Sequence, residues 1–260
     1  MARSQTTPRA GTLDGDERIL EELLFAAIAE RDGDEIAATV RDLHAAAARA
    51  RRRGETPRRL ERAVAALPAE TAGRIAKALL LRLQLADFCE ERERIRRLRH
   101  SRARRASLDE AFERLTSDGA DLDALDHVQV EIVLTMHPSD ATRRAVLHKL
   151  FLLADRMDAL ERAPGTASQT RILGELAEAI GAWWSTDEVR RHRPPVEEEV
   201  RRTVFLVETG LFDAAADVAV LLEQRLGRPL TETPLRFIQW AGGDMDGNPS
   251  ASGATLRFAI

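Results

Sequence analysis

Val133-Leu134-Thr135-Met136-His137-Pro138-Ser139-Asp140-Ala141-Thr142-Arg143-Arg144 is the stretch on which the fold of this chain turns. Upstream of the histidine, Val128, Val130, Ile132, Val133 and Leu134 alternate and then run apolar. The run is rich in β-branched residues and too short for an ordinary helix, so it predicts a buried strand over 128–136. Downstream, Val146, Leu150, Leu153, Met157 and Leu160 recur at helical spacing, which predicts a helix with one apolar face and puts Ser139 at its N-cap. The strand thus hands over to the helix within about three residues of the histidine.

Pro138 lacks a backbone donor and suits the turn before a helix or its first turn, so it fixes the direction of His137. Free N–H groups and the positive end of the helix dipole favour both a neutral imidazole and a bound anion there. A neutral histidine beside an anion accepts a proton. Arg143 and Arg144 oppose the dipole of the first turn, a misfit that makes sense if one of them serves the anion. Two roles stay open for His137 on chemistry alone: a general base, or a structural or surface residue at a strand end.

The 260 residues, 44% of them hydrophobic, suffice for one large domain or two small ones and exclude a wholly disordered chain. With 39 basic against 43 acidic residues, the net charge of -4 argues against bulk attraction to nucleic acid or an anionic membrane. The single cysteine, Cys89, excludes an internal disulfide and a thiolate zinc site, and suggests a reducing, cytoplasmic setting. No apolar run reaches membrane-spanning length, and residues 1–17 carry no signal-peptide core.

Residues 1–15 read as a mobile tail, and 16–127 as an N-terminal helical region. Within it, Ile19, Leu23, Ala26 and Ala27 mark one helical face, Asp32-Gly33-Asp34 a break, and Gly54-Glu55-Thr56-Pro57 a turn. A short helix follows over Leu60–Leu67, then another from Pro68 carrying Ile75, Leu79, Leu83 and Phe88. Glu90 to Arg105 is dominated by arginines; with no aromatic residue to stack on bases, a solvated helix or mobile loop is preferred to an RNA- or phosphate-binding surface. Two short helical pieces, Leu108–Leu115 and Leu122–Leu125, lead to the strand.

Beyond Ala163-Pro164-Gly165, a helix from about Ser168 carries Ile172, Leu176, Ala179, Ile180 and Trp183-Trp184. The paired tryptophans either anchor a partner or bury at least one ring in the core, and the core is the preferred role. After Pro194-Pro195, Glu197, Glu198 and Glu199 open a helix that runs to Arg225 and stops at Gly227. Leu235-Arg236-Phe237-Ile238-Gln239-Trp240 is a second strand, followed by Ala241-Gly242-Gly243-Asp244-Met245-Asp246-Gly247-Asn248-Pro249. Residues 128–260 thus hold two strands, each with a polar cluster at its C-terminal end, on the plan of a parallel β/α barrel.

The glycine-aspartate run is no calcium loop: with Gly247 at the required glycine, Gly242 falls on the first ligand position and Gly253 on the bidentate glutamate. It is either a close-approach loop whose aspartates orient a ligand or a tight structural turn. His44, His100, His127, His148 and His192 show no metal-ligand spacing.

Three segments in order carry a family likeness. Leu134 to Arg144 resembles the histidine signature of phosphoenolpyruvate carboxylases. Trp184-Ser185-Thr186-Asp187-Glu188-Val189-Arg190-Arg191 is similar to that family's Trp-x-Thr-Asp-Glu-Ile-Arg stretch, and Phe237 to Pro249 resembles its Gly-Gly-Asp-Arg-Asp-Gly-Asn-Pro loop. The arginine-rich helix before Ser107 also resembles an N-terminal stretch of bacterial members.

The resemblance implies a mostly α chain: a helical layer plus the first two strand units of an incomplete parallel β/α barrel. It implies a cytoplasmic, homotetrameric lyase that joins bicarbonate to phosphoenolpyruvate with Mg2+ or Mn2+, giving oxaloacetate and phosphate and refilling the tricarboxylic acid cycle. His137 matches the catalytic histidine, which takes a proton from carboxyphosphate; Arg143, Arg144, Asp244, Asp246 and Asn248 are candidate substrate-pocket residues. Met245 stands where the common loop has an arginine, and Ser139 replaces a threonine. Family enzymes are several times longer, so the expectation is an N-terminal fragment, inactive alone, with its metal ligands in later segments. The alternative is a non-enzymatic helical interaction protein derived from the same scaffold.

Overall fold

The computed structural model describes residues 10–54, 58–100, 109–134, 144–163, 165–187 and 195–260. In chain order its elements are α1 (Leu13–Asp32), α2 (Asp34–Arg53), α3 (Arg58–Ala65), α4 (Ala69–His100), α5 (Asp109–Ser117), a 3-10 turn (Leu122–His127), β1 (Val130–Leu134), α6 (Arg144–Arg162), α7 (Thr166–Trp184), α8 (Val196–Leu206), a π-helical turn (Val207–Leu211), α9 (Phe212–Leu226), β2 (Leu235–Gln239) and α10 (Gly253–Ala259). Among the described residues no helix is long and apolar enough to cross a membrane. Packing divides the chain into two units: residues 1–100 with 142–188, and 101–141 with 189–260.

The first unit is helical throughout. Thr12 caps α1, its hydroxyl oxygen accepting from Gly15 N at 3.1 Å, and Asp14 and Asp16 complement the dipole of the first turn. Gly33, at φ 93° and ψ 157°, is the joint between α1 and α2, a conformation open to a residue without Cβ. The helices enclose one apolar core, with Leu20, Leu24 and Ile28 of α1, Val40 of α2, Leu81 of α4, Leu153 and Met157 of α6, and Leu176, Ile180 and Trp183 of α7 all buried. Each such side chain contributes about 1.5–3 kcal/mol by leaving water.

The helices fall where hydrophobic spacing puts them, but two faces are turned from expectation. On α1, Ala26 is exposed, whereas Leu20, Leu24, Phe25 and Ile28 are buried beside Ile19 and Ala27. On α4, Leu83 is exposed and the inward line runs through Ile75, Ala78, Leu81, Leu85 and Cys89. Leucine and alanine abound on all sides of both helices, so apolar spacing leaves more than one phase open. Of the expected 1–15 tail, residues 1–9 lie outside the described residues, while α1 begins at Leu13 and Gly15 and Asp16 are buried. The boundary drawn at residue 127 divides the chain in sequence, whereas α6 and α7, which lie beyond it, pack with the N-terminal helices.

The arginine-rich stretch, expected as a solvated helix or mobile loop, is described as far as His100, where it is a helix with one buried side; residues 101–105 lie outside the described residues. It continues α4 to His100; Arg94, Arg97 and Arg99 face solvent, but Arg92 and Arg96 are buried. Arg96 Nη1 donates to Asp16 Oδ2 at 2.8 Å, and Arg92 Nε reaches the same oxygen at 3.3 Å. Arg92 also pairs with Asp158 and Glu161 of α6, and Arg96 with Glu93. Charges buried at this depth persist only when paired, and these tie α1, α4 and α6 together.

The second unit holds the sheet. β1 and β2 pair in parallel, in a register running from Val130 opposite Leu235 to Leu134 opposite Gln239. Gln129 Nε2 donates to the Thr233 carbonyl at 3.2 Å, and Val130 N to the Pro234 carbonyl at 2.8 Å, extending the pairing upstream. The expectation that β1 is buried is overturned: Val130, Ile132 and Val133 are exposed, and Leu134 is half-buried. A two-stranded sheet leaves the outer edge of each strand unpaired, and among the described residues no element seals β1 from solvent. The single helix expected after Pro194-Pro195 and running to Arg225 contains the π-helical turn at Val207–Leu211, and it ends at Gly227, φ 70°, as its sequence requires.

Candidate functional site

The two strands end level, so β2 delivers its glycine-rich loop to the sheet edge from which β1 continues toward residue 135. The loop is closed by its own backbone. Gly243 N and Asp244 N both donate to the Trp240 carbonyl, at 2.9 and 3.1 Å, and Asn248 N donates to the Asp244 carbonyl at 2.9 Å. Asn248 Oδ1 accepts from Ser250 N at 3.0 Å, turning the chain toward α10.

Space explains two of the glycines. A Cβ on Gly242 would overlap the Ala259 side chain and lie 2.9 Å from the Thr255 carbonyl oxygen. On Gly247 it would lie 2.7 Å from Asp244 Oδ2, so the Asp244 carboxylate is folded over Gly247. Asp244 and Asn248 therefore shape the loop, while Met245, 48% exposed, and Asp246 face outward from it. Trp240, at the loop's root, is exposed as well.

The Trp184-Ser185-Thr186-Asp187 segment lies in the helical unit, where side chains from distant helices hold it. Trp184 Nε1 donates to Asp32 Oδ2 at 2.6 Å, Arg31 donates to the Ser185 hydroxyl, and Lys77 Nζ donates to the Thr186 carbonyl at 2.9 Å. Lys77 also stands 5.2 Å from the centre of the Trp184 ring, a cation over an aromatic face. Both tryptophans are buried, which bears out the core role over the partner anchor.

His137 and Arg143 lie outside the described residues, as does Ser139. Arg144 is exposed at the start of α6 in the helical unit, whereas Asp244, Asp246 and Asn248 share the loop of the other unit. Among the described residues no group of three His, Cys, Asp or Glu side chains is placed to hold a metal ion.

Sequence reading missed Thr255 and Gln239. Thr255 Oγ1 donates to the Gly242 carbonyl at 3.1 Å; the signal was the Ser252-x-x-Thr255 spacing, a reciprocal cap in which Ser252 Oγ accepts from Thr255 N and Thr255 Oγ1 from Ser252 N. Gln239 Oε1 is a buried acceptor with no hydrogen-bond partner among the described residues, at the very end of β2. No local pattern announces it. Asp32 and Lys77 were equally invisible, because each meets Trp184 or Thr186 across more than a hundred residues.

The model of the phosphoenolpyruvate carboxylase family matches residues 13–260. The chain belongs to the phosphoenolpyruvate carboxylase family. The phosphoenolpyruvate carboxylase of Alcanivorax borkumensis is 30% identical over 266 aligned residues, which cover 95% of this chain and 30% of that protein. That of Pseudomonas putida F1 is 32% identical, covering 94% of this chain and 29% of the relative. The phosphoenolpyruvate carboxylase of Ectopseudomonas mendocina is 32% identical over 200 residues, 72% of this chain and 23% of its own length. The chain thus spans less than a third of the length of these curated carboxylases.

Proposed function

We propose that this chain supplies the N-terminal portion of a phosphoenolpyruvate carboxylase, bringing His137 and the Gly242–Asn248 loop to a site completed by other segments. The observation that supports it is the level, parallel pairing of β1 and β2, since each strand leads at its C-terminal end into a segment resembling a family signature. On this reading β1 and β2 are the first two strands of a parallel barrel, and the exposed apolar residues of β1 are surfaces that its other elements cover.

A bicarbonate oxygen attacks the phosphorus of phosphoenolpyruvate; the enol C–O–P linkage breaks at the P–O bond, giving carboxyphosphate and the enolate of pyruvate. His137 takes the proton from carboxyphosphate, which fragments to carbon dioxide and phosphate. The enolate carbon then attacks carbon dioxide to form oxaloacetate. Arg143, Arg144 and Asp246 are each candidates for substrate binding in this proposal. Asp244 and Asn248 keep the loop in shape for it. Mg2+ or Mn2+, a homotetramer, a cytoplasmic setting and an anaplerotic role go with the same reading.

The test joins this chain to the remaining segments of the Alcanivorax borkumensis relative and measures oxaloacetate from bicarbonate and phosphoenolpyruvate with Mg2+. The fusion should turn over, His137→Asn should abolish turnover without altering the circular dichroism, and residues 1–260 alone should be inactive. A folded fusion that makes no oxaloacetate, or turnover that survives the substitution, counts against the proposal. Met245, exposed where the common loop has an arginine, favours a second reading as a non-enzymatic interaction protein. On that reading Met245→Arg leaves the fusion inactive.

A further inference from the structure

The Gly242–Asn248 loop is held from behind by a helix that contributes nothing to its exposed face. Thr255 is the buried residue of α10, and its hydroxyl meets the Gly242 carbonyl at 3.1 Å in a contact closed to solvent. The same oxygen accepts from Ser252 N at 2.7 Å, and its one proton is shared between the Gly242 carbonyl and the Ser252 carbonyl 2.8 Å away. Packing supplies an independent constraint: Gly242 has no room for a Cβ because α10 sits directly against it. The helix is in turn seated on α8, where the Arg201 guanidinium lies 5.0 Å from the centre of the Phe258 ring.

The bonds from Gly243 N, Asp244 N and Asn248 N give the loop its internal shape but refer it only to Trp240 and to itself. The Thr255 contact ties that preformed loop to a helix. We infer that Thr255 is a positioning residue: its hydroxyl, with the seat of α10 on Gly242, sets where the Gly242–Asn248 loop stands at the substrate site. The inference rests on the carboxylase reading. Thr255 itself touches no substrate; it acts through the loop, so its loss weakens substrate binding more than it slows the chemistry.

Thr255→Val keeps the shape and removes the hydroxyl, Thr255→Ser keeps the hydroxyl, and Thr255→Ala repeats the loss with less bulk. In the fusion enzyme, the valine and alanine variants should raise KM for phosphoenolpyruvate about fivefold with kcat within about twofold, and the serine variant should stay within about twofold in both. In the 260-residue chain, the amides of Gly243, Asp244 and Asn248 should exchange with deuterium about tenfold faster in the valine variant, with those of α1 and α7 unchanged. Unaltered exchange in the valine and alanine variants overturns the inference. So does accelerated exchange in an active fusion whose KM does not move. A wild-type fusion that makes no oxaloacetate overturns the carboxylase reading instead, and the exchange comparison still decides whether Thr255 holds the loop.

Discussion

Asp16 of α1 accepts a hydrogen bond from Arg96 Nη1 of α4 at 2.8 Å with its side chain wholly removed from solvent. Asp16 Oδ1 accepts from Gly11 N at 3.1 Å as well, so the carboxylate joins the residues just ahead of α1 to a helix eighty residues away. Although burial works against its charge, Arg96 is held more firmly protonated than an ordinary arginine by the hydrogen bond and charge of Asp16. Asp16→Ala leaves Arg92 and Arg96 buried with one carboxylate fewer and should cost about 3–5 kcal/mol in urea unfolding. The Asp16→Ala, Arg96→Ala double variant should cost less than the two single losses added together; simple additivity would mean the pair is not coupled.

Cys89 packs beside this network and is fully buried. Burial, followed by the carboxylates of Asp16 and Glu17, pushes its thiol up to about 12. At pH 8 only about one thiol in ten thousand is then the reactive thiolate. Ellman's reagent should find no thiol in the folded chain and one per chain in guanidinium. Rapid labelling of the native protein would show that α4 does not cover the sulfur.

His44 is held below the usual histidine range by burial first and then by the charge of Arg82. Its protonated form is therefore disfavoured in the folded chain, so the unfolded chain binds more protons as pH falls through the ordinary value of 6.5. Stability should drop across that window and be unaffected by this residue well above it. His44→Gln should flatten this part of the stability profile between pH 7.5 and pH 5, and an unchanged slope would assign the acid sensitivity elsewhere.

Trp184 Nε1 donates to Asp32 Oδ2 at 2.6 Å, and Asp32 keeps a second partner in Arg74 at 3.3 Å. Trp184→Phe loses one hydrogen bond and some packing without stranding the carboxylate. The expected cost in thermal or urea unfolding is about 1–3 kcal/mol. Lys77→Met in the same chain should move the Trp fluorescence, because the ammonium lies over that ring. A spectrum identical to wild type would contradict the contact.

Met245 carries no charge to pair with phosphate or carboxylate. In the fusion enzyme Met245→Arg should lower KM for phosphoenolpyruvate by about tenfold, since one charge-assisted hydrogen bond of about 1.5–3 kcal/mol is added. The side chain is exposed on the loop, so the substitution has room and should leave the melting temperature nearly unchanged. No change in KM would mean that the loop tip does not face the substrate.

Much of the helical order was written in local pattern. The breaks at Gly33 and Gly227, the apolar line through Val146, Leu153, Met157 and Leu160, and the two short strands are each decided by neighbours within a few residues, which is the range over which backbone geometry and hydrophobic period act. The three family signatures are equally local, and they sufficed for family membership. Residues that meet across the fold were not legible. Arg92 and Arg96 look like solvent-facing charges until Asp16 arrives from α1, and Thr255 looks like a cap until α10 is seated on Gly242. A hydrophobic run such as Val130–Leu134 says that burial is favourable, yet β1 is exposed because burial also needs an element to cover it. Composition and spacing thus determined which segments fold and into what. Only the tertiary structure decided which charges are buried, which faces are covered and what holds the loop, because those outcomes depend on partners that sequence distance conceals.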